Sequence, residues 1–138
     1  MLTISKRKPG FIFTFLLAAM LLPVLSFSQT TIEIQVSPNV LNLQNNGQVV
    51  TIHTEIAYSL VVGETVYLND VEIQSWKSDN QGNFVAKFNM DAIQGLESLV
   101  VDEYNLFTLV GLQTDGSTFT GEQEVLIVNN VPVGQGKK

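Results

Sequence analysis

The sequence contains no cysteine. Disulfides, thiolate metal sites and a lipid anchor attached to cysteine are therefore excluded. Small secreted domains of animals often depend on disulfides. The roughly 110 residues that follow Ser28 can bury a core that is stable without them. The lack of cysteine thus favours a bacterial protein.

Basic residues are scarce as well. The chain has seven Lys and Arg against thirteen Asp and Glu, a net charge of −6. Three of the seven stand at positions 6–8, so four lysines and no arginine remain beyond residue 28, where the net charge is 4 − 13 = −9. We therefore expect no nucleic acid partner, because neutralising phosphates requires a basic patch.

One long apolar run, residues 11–25, follows this basic cluster. Ser26 and Ser28 place small side chains at the −3 and −1 positions of a cut before Gln29. The layout predicts a secretory signal peptide over residues 1–28, and a secreted or periplasmic protein that meets the membrane only before cleavage. The alternative is an uncleaved membrane anchor, because the run approaches the length that spans a bilayer.

Residues that carry chemistry are few. His53 is the only histidine, so a usual zinc site lacks a second histidine or a cysteine, and the alternative is a surface histidine. A Ser-His-Asp triad would have to use His53, and neither a G-x-S-x-G elbow nor a glycine-rich phosphate loop occurs. Glu122 and Glu124 share a strand face about 7 Å apart, which suits the carboxylates of a glycoside hydrolase; the alternative is two solvated glutamates. We expect a protein that is not an enzyme and holds neither cofactor nor metal.

A polar loop at residues 78–83 holds one carboxylate, Asp79, and three amide side chains that could supply oxygen ligands to calcium. The spacing of an EF-hand loop fails, because Lys77 would occupy the first ligand position. The alternative is a plain polar turn.

Trp76 is the only tryptophan of the chain. It lies in a predicted strand, on the face opposite Val71 and Ile73. Trp76 could be an exposed platform for a sugar ring or a partner, and the alternative is a tryptophan packed into the core or its rim.

Strand-like runs alternate with turn signals along residues 29–130, and no long segment there has helical periodicity. The predicted strands are 32–36, 49–56, 64–68, 71–76, 84–90 and the two arms of a hairpin within 105–128. Along 84–90 the alternation predicts that Phe84, Ala86, Phe88 and Met90 face inward, and Asp91 is expected to cap a short helical turn. About seven strands in some 100 residues predict an all-β domain at 29–130, an immunoglobulin-like antiparallel β-sandwich. A flexible C-terminal tail is expected at 131–138.

Asp115-Gly116 lies between two apolar runs and is the strongest hairpin signal of the chain. If these two residues alone form the turn, Leu112 faces Phe119 across the hairpin. The same counting puts Leu106 on the face that Leu112 occupies, since side chains alternate with period two.

Phe107 and Leu109 point to the opposite face in this register. There they would form an exposed apolar row beside Glu122 and Glu124, which is more than a monomer usually tolerates and marks a partner site. We therefore expect Phe107 and Leu109 to contact a protein partner or a second copy of the domain. The alternative is a bulge at Gly121 that turns both side chains inward.

Three segments carry a resemblance to a known family. They are the run 40–47 with the strand 49–56, the Asn69-Asp70 turn with the loop and strand at 80–88, and the hairpin at 111–121. Together they cover most of residues 32–128, and they resemble a secreted bacterial immunoglobulin-like β-sandwich module of the kind found beside calcium-binding repeats or dockerin-type modules. The resemblance implies the fold and a secreted setting, and it implies no activity.

The sequence therefore predicts a non-catalytic, secreted structural or protein-interaction module of a bacterial cell surface or periplasm. One alternative is a small carbohydrate-binding module that uses Trp76 as an exposed aromatic. The other is a small carboxylate-dependent glycoside hydrolase. Fold alone does not choose among them, because function resides in sites that a fold carries.

Overall fold

The computed structural model describes residues 28–131. The predicted signal peptide at 1–28 and the predicted tail at 131–138 lie almost entirely outside the described residues, so both stay predictions. Within 28–131 the chain is β-structure with very little helix.

Ten strands, one short helix and one 3-10 turn follow each other along the described chain. Their bounds are β1 Gln29–Ile32, β2 Ile34–Ser37, β3 Val40–Asn42, β4 Val49–Ala57, the 3-10 turn Tyr58–Leu60, β5 Val61–Leu68, β6 Val71–Glu72, β7 Ser75–Ser78, β8 Asn83–Asn89, α1 Met90–Gln94, β9 Tyr104–Gln113 and β10 Thr118–Val128.

The strands form two sheets. The first sheet has the order β1-β10-β9-β5-β6, and β3 also pairs with β10. The second sheet has the order β2-β4-β8-β7. Neighbouring strands are antiparallel, except that β1 and β3 run parallel to β10. The all-β class and the two-layered sandwich that the sequence predicts are thereby confirmed.

One side of each sheet supplies a common core, because alternate side chains along a strand point to the same face. The predicted inward set of the 84–90 strand is buried: Phe84, Ala86, Phe88 and Met90. The first sheet contributes mainly Val66, Leu68, Phe107, Leu109, Phe119, Val125 and Ile127. These residues belong to one continuous cluster, so the two sheets are held together by hydrophobic burial.

Two predicted strands turn out to be divided between the sheets. In the segment 32–36, β1 pairs with β10, and after Glu33 the chain crosses so that β2 pairs with β4. In the segment 71–76, pairing with β5 ends at Glu72, and β7 then joins β8 in the second sheet. Alternation predicts which face is buried, and it does not predict which strand is the neighbour.

β4 carries extra residues between His53 and Ala57, where its pairing with β8 shifts. The side chain of Thr54 forms hydrogen bonds with backbone groups at this irregularity. Its Oγ1 donates to the carbonyl of Phe84 at 2.6 Å and accepts from the backbone N–H of Ile56 at 3.3 Å. Thr54 is the buried polar residue of the core, and these bonds offset the cost of burying its hydroxyl.

β5 starts at Val61, three residues earlier than predicted, and its pairing with β9 shifts between Val62 and Tyr67. Thr65 Oγ1 bridges the irregularity by donating to the carbonyl of Val62 at 2.6 Å and accepting from the backbone N–H of Leu112 at 2.9 Å. The hydroxyl thus replaces a ladder hydrogen bond that the bulge removes.

The short helix α1 is capped by Asn89, not by Asp91 as predicted. Asn89 Oδ1 accepts from the backbone N–H of Ala92 at 3.0 Å, and Asp91 lies inside the first turn. Gly95 ends the helix. A capping side chain has to precede the first helical residue, and the helix begins at Met90.

The β9–β10 turn is one residue longer than predicted. The backbone N–H of Gln113 donates to the carbonyl of Ser117 at 2.8 Å, so residues 114–116 connect the strands. Asp115 Oδ1 accepts from the Ser117 hydroxyl at 2.6 Å and from its backbone N–H at 2.9 Å. The hydroxyl bond, and then the backbone bond, hold the pKa of Asp115 below its ordinary value. Gly116 has a φ of 90°, which glycine adopts without strain.

The longer turn shifts the pairing by one residue. Leu112 faces Thr118, and Phe119 faces Gly111. The pairs then run without interruption from Thr118 to Leu126, so the proposed bulge at Gly121 does not occur. Because side chains alternate with period two, the shift exchanges the two faces of β9.

Candidate interaction face

Six large apolar side chains are exposed on strands of the first sheet, and we call them the apolar row. They are Val40, Tyr67, Tyr104, Leu106, Val110 and Leu112. The most exposed are Tyr104, at 66 %, and Leu106, at 50 %. Four members belong to β9, where alternate residues share one face.

The ladder pairs show that the row lies on a single outer face. Tyr67 on β5 stands directly opposite Val110 on β9. At the other end, Tyr104 is opposite Leu126 on β10, and Leu126 is opposite Val40 on β3. Directly opposed residues point to the same side of a sheet. The row therefore crosses the first sheet from β5 to β3.

The turn between β5 and β6 fixes the backbone beneath the row. The side chain of Asn69 accepts from the backbone N–H of Thr108 at 2.7 Å and donates from Nδ2 to the carbonyl of Leu106 at 3.1 Å. Its backbone N–H also donates to the carbonyl of Thr108 at 3.1 Å. Asn69 and Asp70 both have positive φ, which Asn and Asp tolerate better than most residues. The β9 backbone beneath the row is thus hydrogen-bonded to β10 on one side and to the turn at Asn69 on the other.

Carboxylates flank the β5 and β9 members of the row on the same face. Glu72 on β6 is opposite Tyr67, while Glu122 and Glu124 on β10 are opposite Thr108 and Leu106. All three glutamates are exposed.

The two lysines of the described chain lie on the other sheet. Lys87 pairs with Thr51 and Lys77 pairs with Val85, so both belong to the outer face of the second sheet. Among residues 28–131, the face that carries the apolar row therefore has no cationic side chain.

The predicted contact residues Phe107 and Leu109 are not on this face. Both side chains are fully buried, at 0 % exposure, and belong to the core cluster. The prediction that they are exposed is wrong, because it assumed a two-residue turn and so inverted the faces of β9. An exposed apolar row does lie beside Glu122 and Glu124, and the other side chains of β9 form it.

Sequence reasoning missed the members of the row, although one signal for them was present. Asp115 precedes Ser117 by two residues, the spacing at which an Asp side chain bonds the backbone within a turn. That spacing favours the longer turn. Outward-facing Glu122 and Glu124 would then pair with Thr108 and Leu106.

Trp76 lies on the edge strand β7, opposite Ala86, and its side chain points between the sheets. The indole packs on Gly63 of β5, where an added Cβ would clash with the indole Cε2. Trp76 thus connects the β7 edge of one sheet to the β5 strand of the other. It remains 37 % exposed, so part of the ring is accessible to solvent.

The remaining candidates do not assemble into a reactive centre in the described chain. His53 is exposed on the outer face of the second sheet. Asp79 Oδ1 accepts from the backbone N–H groups of Gln81 at 2.8 Å and Asn83 at 2.9 Å, which closes the polar turn. No three His, Asp or Glu side chains within 28–131 gather as ligands for a metal ion.

The crossing between the sheets leaves a surface cleft of about 580 Å³. It is lined by residues 31–34 and 120–123, and Glu33 and Glu122 are the charged groups among them. Gln123 spans the neighbouring gap, because its Oε1 accepts from the backbone N–H of Val36 at 2.6 Å. The side chains of Thr31, Thr120 and Gln123 also line this cleft.

Within residues 28–131 there is no helix of the length and apolarity needed to cross a bilayer. Comparison of the chain with protein-family models, with curated proteins and with solved structures finds no match.

Proposed function

We propose that this chain is a non-catalytic, secreted interaction module of a bacterial cell surface or periplasm, and that it docks a partner protein through the apolar row. The observation that carries the proposal is the exposure of six large apolar side chains on one sheet face. Monomeric soluble proteins rarely keep such side chains together on the surface unless they bind something. The row also stands on paired strands, which suits a preformed docking surface.

The strand order supports an immunoglobulin-like topology for the module. β2-β4-β8-β7 matches the order of the four-stranded ABED sheet of such domains, and β10-β9-β5 matches the facing three-stranded sheet. β1 and β3 then extend the edge at β10, and β6 extends the edge at β5. The resemblance of the sequence to secreted bacterial modules of this type points the same way.

The N-terminal sequence supports the secreted setting. A basic cluster, an apolar run and small residues before Gln29 form the three parts of a signal peptide. The absence of cysteine suits a bacterial module that is stabilised by its core rather than by disulfides.

Site-specific photo-cross-linking tests the docking face. A benzoylphenylalanine residue would replace Val110 in the row or, as a matched control, His53 on the outer face of the second sheet. In cells that export the chain, we expect the Val110 variant to give a discrete cross-linked protein that the His53 variant does not give. Equal cross-linking at both positions, or none at Val110, would contradict the proposal.

Carbohydrate binding through Trp76 is a second candidate, supported by the partial exposure of its indole on a sheet edge. The ring is held against Gly63, and a fixed aromatic face can stack on a sugar. A glycan array probed with the exported chain and with Trp76→Ala tests it. Glycan signals that disappear in the variant would support this function, and an array without signals would exclude it for the sugars displayed.

A further inference from the structure

We infer that the partner of the apolar row is a different protein whose contact surface is apolar in the centre and flanked by lysine or arginine side chains. The inference rests on the proposed docking function and names the chemistry of the partner. Its basis is the arrangement of charge around the row.

The carboxylates lie on both sides of the β5 and β9 members of the row, and Val40 on β3 lies beyond the β10 carboxylates. Glu72 lies one strand beyond Tyr67 on the β6 side, and Glu122 and Glu124 lie one strand beyond β9 on the β10 side. Since neighbouring strands are about 4.8 Å apart, all three carboxylates lie within reach of cationic side chains on a partner that covers the row. Complementary charge at the edge of a contact steers association and selects the partner.

A second copy of this chain is a poor occupant in a symmetric arrangement. A two-fold contact brings the same patch of each protomer together. The Glu72, Glu122 and Glu124 side chains of one protomer would approach those of the other, without any described lysine or arginine on that face. Such like-charge contacts oppose pairing, and the net charge of −9 beyond residue 28 adds to the repulsion.

A head-to-tail contact between copies is also disfavoured. The outer face of the second sheet carries both described lysines, but polar side chains such as Thr51 and His53 stand beside them. That face offers little apolar surface to cover the row. The contact would also be of the open-ended kind that builds filaments.

On β9 the contact must be made by side chains rather than by strand addition. β9 lies between β10 and β5, so its backbone is already paired on both sides. A partner therefore lays an apolar surface on the row and does not extend the sheet at β9. An amphipathic helix with leucines along one side and flanking lysines has this chemistry.

Two synthetic helical peptides test the inference with the exported chain. Both carry the same leucine stripe, one with flanking lysines and the other with glutamates in their place. We expect the lysine peptide to bind roughly tenfold more tightly at low salt, as measured by fluorescence anisotropy of labelled peptide. We also expect its affinity to fall when the ionic strength rises from about 0.05 M to about 0.5 M.

Two variants separate this inference from the proposed function. Glu122→Gln with Glu124→Gln should remove most of the preference for the lysine peptide, and Leu106→Thr with Val110→Thr should abolish binding of both peptides. If the row variant loses binding while the wild type binds both peptides equally, the charge inference fails and the docking face stands. If the row variant and the wild type bind the lysine peptide with equal affinity, the peptide does not bind through the row. The charge inference and the docking face are then both refuted.

Sedimentation of the exported chain alone adds the test for a second copy. We expect a monomer across the micromolar range. Dimers or filaments that Leu106→Thr with Val110→Thr dissociates would show that the row is covered by this chain itself, and would overturn the inference.

Discussion

Replacing Phe107 by alanine should destabilise the domain strongly. The side chain has no exposed surface and belongs to the core cluster. Truncating a buried phenylalanine costs about 3–5 kcal/mol, because the transfer free energy is lost and a cavity remains. A domain of this size has a total stability of roughly 5–15 kcal/mol. At about 4–8 °C per kcal/mol, the expected fall in Tm is roughly 12–40 °C.

The matched control is the neighbouring residue. Leu106 is 50 % exposed and points to the outer face. A fully buried leucine contributes about 1.5–3 kcal/mol by burial, so truncating one that is half-exposed should cost about 1 kcal/mol. Leu106→Ala should therefore lower the Tm by less than roughly 8 °C.

Urea unfolding of the exported chain measures both losses. Far-UV circular dichroism and the fluorescence of Trp76 should report the same transition if unfolding is two-state. An unchanged m value would show that the difference in midpoint is a difference in free energy. Similar losses for Phe107→Ala and Leu106→Ala would refute the assignment of Phe107 to the core face alone, and a larger loss for Leu106→Ala would restore the register of a two-residue turn.

Three further predictions concern the sheet edge, the core hydroxyl and processing. Gly63→Ala should destabilise the fold by about 1–3 kcal/mol and shift the tryptophan emission, because the new Cβ meets the indole; with Trp76→Ala in the same chain the cost should shrink, and an undiminished cost would contradict the contact. Thr54→Val should cost about 1–3 kcal/mol in urea unfolding, because the carbonyl of Phe84 loses its donor while the shape is kept; a cost near zero would mean that the bond contributes nothing. The intact mass of exported protein should equal that of a chain that begins at Gln29, and a mass that includes residues 1–28 would favour a membrane anchor.

The strands that alternate cleanly could be predicted from sequence. Along 84–90 the inward apolar set alternates with Val85, Lys87 and Asn89, and Val85 is buried although it lies on the outer face. Along β4, His53 lies on the face opposite to Val50 and Ile52. One buried face and one solvated face leave a single arrangement in which apolar side chains are covered. The predicted inward residues of these segments are buried for this reason.

The partners of the edge strands could not be predicted in the same way. Residues 32–36 alternate without interruption, yet β1 and β2 pair with strands of different sheets. The crossing at Glu33 preserves the inward face, so the alternation is the same with or without it. Long-range pairing decides the neighbour, and a local pattern carries no information about it.

Which side chains of β9 are exposed depends on whether the β9–β10 turn has two residues or three. The β9 strand is apolar on both of its faces, with Phe107 and Leu109 on one and Leu106 and Val110 on the other. Polarity within β9 therefore cannot select the register. Ser117 donates two hydrogen bonds to Asp115 within the longer, three-residue loop. The length of this loop sets the register in which β9 pairs with β10.

The presence of apolar side chains on both faces of β9 also supports the proposed docking function. Core packing requires only one apolar face of β9, and in the three-residue register Phe107 and Leu109 provide it. Leu106 and Val110 could be threonine without loss of strand propensity, because β-branched polar residues suit an exposed strand face. Glu122 and Glu124 on the adjacent strand show that this face meets water in the isolated chain. Leucine and valine beside those carboxylates are more apolar than an exposed strand face requires, and the proposed partner that covers the row would account for both the apolar side chains and the charges around them.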